Sequence, residues 1–227
     1  MSAVPSSPPL PWRAAIIDLD GTLVDTLDDF VLALGGTLAA LGLPGVSRRF
    51  IARTVGKGSE HLLRTTLAEV GADAARYPQA WATYQAQYAA INGQAAQLYP
   101  GVLEGLQALR AAGLPLACVT NKPGALARAL LERKGLAGFF SQVHGGDAFA
   151  RKKPDPLPLI EACRALGSAP TLTLMVGDSR NDAEAAAGAG CPVVLMTYGY
   201  NHGEPIHEVP ALAHLDRLDE LFSALPG

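Results

Sequence analysis

Apolar and polar positions divide the chain into two regimes. Short apolar runs of strand length recur at residues 14–19, 114–120, 140–144, 172–177 and 193–197. Between the last four lie segments of helical character at 123–135, 157–167 and 181–190, each opened by a cap or proline and closed by a glycine. This alternation predicts an α/β protein with a Rossmann-like parallel sheet core and helices on both faces. The stretch 27–98 breaks the rhythm, with helical periodicity at 27–41, 47–55, 60–70 and 74–91 and no convincing strand between. It predicts an inserted small α-helical domain, with Tyr99-Pro100-Gly101 as the return hinge. The expected organisation is a flexible Pro/Ser-rich leader at 1–12, an α/β catalytic core from 13–26 and 99–227, and a helical insertion at 27–98.

Composition narrows the function classes. At 227 residues the chain is long enough to bury a sizeable core, and 49% hydrophobic with 17% charged residues is a globular balance. A formal net charge of −3 offers no electrostatic footprint for nucleic acid, so any anion binding must be local. The first nine residues lack the basic and apolar parts of a signal peptide, and the apolar stretches are short or interrupted, which predicts a cytoplasmic protein without membrane contact. Cys118, Cys163 and Cys191 have no metal-ligand spacing and sit among apolar neighbours, as buried thiols do. His61, His144, His202, His207 and His214 are scattered and form no zinc pattern.

The candidate chemistry follows the strands. Asp18-Leu19-Asp20-Gly21-Thr22 closes the first apolar run, and on a strand residues i and i+2 share a face, so Asp18 and Asp20 are expected in one site. Two close carboxylates repel, and a divalent cation or a shared proton is the usual remedy. Thr120-Asn121-Lys122 follows the second run, and its hydroxyl and backbone N–H groups suit phosphoryl oxygens. Lys153-Pro154-Asp155-Pro156 opens a helix, and Gly177-Asp178-Ser179-Arg180-Asn181-Asp182 follows the fourth run. Ligands of open α/β sheets gather at such strand ends.

These four motifs, in this order, resemble the signatures of the haloacid dehalogenase-like phosphatases. More narrowly, residues 177–182 and Thr197-Tyr198-Gly199-Tyr200-Asn201-His202-Gly203 are similar to the bacterial phosphoglycolate phosphatases. The resemblance implies that Asp18 is the nucleophile, forming an aspartyl-phosphate, and that Asp20 is the acid and base. It implies Mg²⁺ held by Asp18, Asp178 and the backbone carbonyl of Asp20, with Asp182 ligating through water, a helix-terminal acid being the alternative for Asp182. Lys153 then supplies the balancing cation and Thr120 a phosphoryl contact, with Asn121 beside it. An Asp at the second position distinguishes phosphomonoester hydrolysis from ATP or carbon–phosphorus chemistry in other branches. The insertion between the first two motifs corresponds to the family's cap.

The expected substrate is a small anionic phosphorylated metabolite, 2-phosphoglycolate first, with glycolate and phosphate as products. The insertion's Arg53-Thr54-Val55-Gly56-Lys57-Gly58 offers Lys57 and Arg53 to its carboxylate, because flanking glycines permit close approach; a helix C-cap with a solvated lysine is the alternative. Arg180 is a further candidate, against a salt bridge to Glu184. Lys122 is expected to face solvent or an acidic neighbour, with no assigned role. Other small phosphates (a sugar phosphate, a nucleotide or pyrophosphate), phosphomutase activity, or a non-catalytic binding protein on this fold stay open, as does monomer against homodimer.

Overall fold

The computed structural model describes residues 11–224. The six-stranded sheet is parallel throughout and ordered β5-β4-β1-β6-β7-β8, from β1 (Ala14–Ile17), β4 (Leu116–Val119), β5 (Gln142–His144), β6 (Thr173–Gly177), β7 (Val193–Met196) and β8 (Ala213–Leu215). The order reverses at β1, which makes its carboxyl end the topological switch point where a crevice opens. Alternate residues feed opposite faces. Ala15, Ile17, Cys118, Leu174, Val176 and Val194 enter one core, while Ile16, Ala117, Val119, Met175, Val193 and Leu195 enter the other. Helices α5 (Val102–Ala111), α6 (Gly124–Arg133), α7 (Leu157–Leu166), α8 (Arg180–Ala189) and the short α9 (Leu221–Ala224) complete the α/β layers. The three cysteines are free and buried.

Four helices interrupt this layer: α1 (Leu27–Ala40), α2 (Arg48–Thr54), α3 (Ser59–Glu69) and α4 (Tyr77–Ile91). They bury a separate core of Phe30, Leu34, Ile51, Leu63, Tyr84 and Tyr88, with Phe30 and Tyr88 stacked at 5.1 Å. The chain enters and leaves this lobe through an antiparallel ribbon of β2 (Val24–Asp25) and β3 (Gln97–Leu98), in which Val24 faces Leu98. Asp29, wholly buried, fixes the return path by accepting from the N–H groups of Gly93 (2.5 Å), Ala95 (2.9 Å) and Ala96 (3.2 Å).

Of the leader expected at 1–12, residues 1–10 lie outside the described residues. Trp12 is a correction to its boundary: the indole is only 7% exposed and packs in the core beside Ala15, so burial of a large aromatic extends the core to at least Trp12.

Candidate active site

Asp18 lies one residue past β1, its N–H still donating to Val176 O at 2.9 Å. Regular pairing has ended there, so the strand-face rule is not what brings Asp20 to the site. A tight turn does, in which the Gly21 N–H donates to Val24 O at 2.9 Å and Gly21 takes φ +89°, a conformation costly for a side-chain-bearing residue. Asp18 and Asp20 both line a cavity between core and lobe, walled further by Phe30, Val55, Gly56, Thr120, Asn121 and Lys122.

Lys153, at the loop before α7, is 3% exposed, and its Nζ lies 2.9 Å from Asp18 Oδ1 and 2.7 Å from Asp182 Oδ1, while donating to Val119 O at 2.8 Å. Burial alone would lower its pKa, but Asp18 and Asp182 more than offset this and hold it above the ordinary lysine value. Asp178 is held from two sides: the Thr22 hydroxyl donates to Oδ1 at 2.7 Å and the Tyr200 N–H to Oδ2 at 2.6 Å. A Cβ at Gly199 would stand 2.2 Å from Asp178 Oδ2, so glycine there is a steric requirement.

Asp18, Asp178 and Asp182 each bring a carboxylate oxygen to within 4.8 Å of the others. Lys153 supplies one positive charge against those three acids, and two of them, Asp18 and Asp178, are shifted chiefly by burial. Burial, first, and then Asp182 push Asp18 up to about 7 despite the opposing pull of Lys153. Burial, Asp182 and Asp18 push Asp178 well above the usual carboxylate range. A cluster of hard oxygen donors with uncompensated charge fits a divalent cation. Asp182 belongs to the cluster, but its Oδ1 is taken by Lys153 and its Oδ2 accepts from the N–H groups of Asp178 and Ser179 and from the Ser179 hydroxyl. Those bonds cap α8 and leave Asp18 and Asp178 as the better-disposed carboxylate ligands.

Thr120, 4% exposed, lines the cavity and accepts the Lys122 N–H at 3.2 Å. Asn121 lines it too, but its amide nitrogen donates to Gly56 O and to Lys153 O, both at 2.9 Å. The remaining candidates stand elsewhere. Arg53 and Lys57 are exposed, and Lys57 opens onto a separate outer groove. Arg180 lines that groove and donates to Glu204 Oε2 at 2.8 Å, so its partner is Glu204, one loop away, rather than Glu184 on its own helix.

A model of the haloacid dehalogenase-like hydrolases matches residues 15–196. The chain belongs to the haloacid dehalogenase-like hydrolases. Within the family it is similar to a phosphoglycolate phosphatase of Thiobacillus denitrificans, 42% identical over 214 residues that cover 90% of this chain and 94% of that protein. A phosphoglycolate phosphatase of Nitrosospira multiformis is 42% identical over 217 residues, covering 93% and 95%. A crystal structure described as a predicted phosphoglycolate phosphatase from Haemophilus somnus superposes with a TM-score of 0.89 at 32% identity, covering 94% of this chain and 98% of that one.

In this haloacid dehalogenase-like hydrolase the residue that sequence reasoning passed over is Lys122. It is 4% exposed, pairs with Asp20 Oδ1 at 3.0 Å, donates to the Tyr88 hydroxyl, and sits 5.0 and 4.6 Å from the ring centroids of Phe30 and Tyr88. It is the cation that walls the cavity beside both aspartates. A signal did exist in the sequence: Tyr84 and Tyr88, four apart on a helix, present aromatic faces to one side. Tyr200 is a second omission. Its hydroxyl donates to Asp25 Oδ1 at 2.5 Å and accepts the N–H groups of Thr26 (2.9 Å) and Leu27 (3.0 Å), while its own N–H holds Asp178, so one residue ties the lobe's entry to the acidic cluster.

Proposed function

We propose that this chain is a Mg²⁺-dependent phosphomonoester phosphatase whose substrate is 2-phosphoglycolate, released as glycolate and inorganic phosphate. The observation that carries the reading is a cavity lined by Asp18, Asp20 and a buried lysine, Lys122, which pairs with Asp20. Lys122 is suited to a compact anionic tail, because a charge-assisted hydrogen bond from a desolvated lysine is stronger than a neutral one. The names of the similar proteins support the same choice.

In this mechanism Asp18 attacks phosphorus, forming a carboxyl–phosphoryl bond as the bond from phosphorus to the glycolate oxygen breaks. Asp20 delivers its proton to the departing alkoxide, then takes one from the water that cleaves the aspartyl-phosphate and regenerates Asp18. Thr120 steadies the phosphoryl oxygens. Lys153 keeps Asp18 oriented and offsets the substrate's negative charge. The carboxylates of Asp18 and Asp178, with the carbonyl of Asp20, would hold Mg²⁺, which when bound neutralises charge between two anions that otherwise repel. The four-helix lobe acts as a cap over this cavity. Among the described residues no helix is long and apolar enough to cross a membrane, and we assign the enzyme to the cytoplasm, acting on a diffusible metabolite.

The test is phosphate release with and without Mg²⁺ from 2-phosphoglycolate, hexose phosphates, nucleoside monophosphates and pyrophosphate, with Asp18→Asn as the blank. The expected result is Mg²⁺-dependent release that favours 2-phosphoglycolate. Preference for a sugar phosphate would overturn the substrate, and isomerisation without net release would overturn the reaction.

A further inference from the structure

We propose that Asn121 and Asn181 are positioning residues that latch the helical lobe onto the core by gripping one carbonyl, that of Gly56. Gly56 belongs to the loop between α2 and α3, whose Val55, Gly56, Gly58 and Ser59 wall the cavity. Its carbonyl accepts from Asn121 Nδ2 at 2.9 Å and from Asn181 Nδ2 at 3.3 Å, two core side chains arriving from the loop after β4 and the first turn of α8. Both asparagines are buried, at 8% and 6% exposure, so water competes poorly for these bonds.

The loop is shaped for this grip. Gly56 takes φ +109° and Gly58 φ +91°, which side-chain-bearing residues adopt only with strain. His202 closes over the same point: a Cβ on Gly56 would meet His202 Cε1 at 3.1 Å, and His202 Nε2 lies 3.1 Å from Asn181 Nδ2. His202 itself holds φ +54°, the positive-φ non-glycine residue among those described.

Asn121 adds a connection to the chemistry. Its amide nitrogen donates to Gly56 O and also to Lys153 O, so one group spans the lobe and the backbone of the lysine that faces Asp18. Both amide hydrogens of Asn121 are thereby engaged in bridging lobe and core. Closure of the lobe and placement of Lys153 are thereby one event. The 55–59 stretch walls the cavity, so the bonds that hold it set the fraction of molecules competent to retain a ligand, and apparent affinity scales with that fraction.

The test uses the full chain with Mg²⁺ and inorganic phosphate as the probe. Asn181 separates latch from ligand, because it lines the outer groove and not the enclosed cavity. Hydrogen–deuterium exchange is followed by mass spectrometry in wild type, Asn181→Ala and Asn121→Ala, and phosphate affinity by calorimetry. The expected result is exchange of the 51–62 peptide that rises roughly three- to tenfold in each variant, the scale of one lost hydrogen bond, with a smaller rise in phosphate Kd, because exchange follows the open fraction and Kd the closed one, and with β1 and β4 peptides unchanged. Unchanged loop exchange in Asn181→Ala, or faster exchange that saturating phosphate does not slow, would overturn the latch. If alanine at 181 disturbs the sheet peptides, Asn181→Leu, similar in shape and lacking donors, gives the same reading. The latch rests on the proposed site but not on its substrate: these measurements need no turnover, so a wrong substrate would leave them standing.

Discussion

Replacing the proposed nucleophile should stabilise the metal-free protein while abolishing its activity. Asp18 is raised from 3.8 to about 7, chiefly by burial, which means that ionising it in the folded chain is unfavourable when no cation is bound. At 1.36 kcal/mol per pKa unit the cost is about 4 kcal/mol at pH 8 and roughly 1.5 kcal/mol at pH 5. The sign follows from the direction of the shift. A folded-state pKa above the unfolded one contributes stability that is complete below pH 3.8 and is lost as pH rises through about 7. The carboxamide of Asp18→Asn cannot ionise and escapes the loss, while Lys153 retains Asp182 as its partner. In EDTA at pH 8, Asp18→Asn should therefore unfold on the order of 10 °C above wild type, at 2–4 °C per kcal/mol for a chain of this size. The gap should shrink at pH 5 and narrow or reverse with Mg²⁺, which stabilises wild type by binding the folded state. Calorimetric Tm values at the two pH values, with EDTA or Mg²⁺, check this. A variant no more stable than wild type in EDTA, or a gap indifferent to pH, would refute the cost assigned to ionising the buried Asp18.

Lys122→Met should lower kcat/KM for 2-phosphoglycolate at least tenfold more than for ethyl phosphate, which lacks the carboxylate; steady-state kinetics on both substrates decide it, and equal losses would remove Lys122 from tail recognition. Gly199→Ala, whose Cβ would stand 2.2 Å from Asp178 Oδ2, should raise the Mg²⁺ concentration for half-maximal activity roughly tenfold with far-UV circular dichroism unchanged. Asp29→Ala strands three N–H groups at the lobe's return and should cost about 2–4 kcal/mol in urea unfolding.

The features legible in the sequence were those encoded locally. A buried parallel strand is a continuous apolar run, so β1, β4, β6 and β7 stood out, and the acidic and lysine motifs at their ends could be read without a structure. The edge strand β8 has only Ala213, His214 and Leu215, half-buried, and the ribbon strands β2 and β3 have two residues each; pairs so short carry no periodicity. Helix α5 follows Tyr99-Pro100-Gly101 with no side-chain N-cap to announce it, and it escaped the reading although Leu106 and Leu109 are fully buried. Lys122 illustrates the deeper limit. Lys122 was expected to face solvent or an acidic neighbour; Asp20 is that neighbour, and only the approach of α1 and α4, far apart in sequence, makes the lysine a buried cation between Asp20 and two rings. Lys57, with its flanking glycines, had the stronger local signal and the more exposed position.

The β2–β3 ribbon has a consequence for how such an enzyme can change. Its two strands keep Val24 and Leu98 opposite each other, so the points of departure and return stay one strand spacing apart, about 4.8 Å, whatever lies between them. Loop-closure entropy grows only slowly with length, and the ribbon fixes the closure in any case. The intervening helices are thus an exchangeable module: a graft or a lineage can replace them wholesale at this seam without re-registering the sheet that carries Asp18 and Asp178.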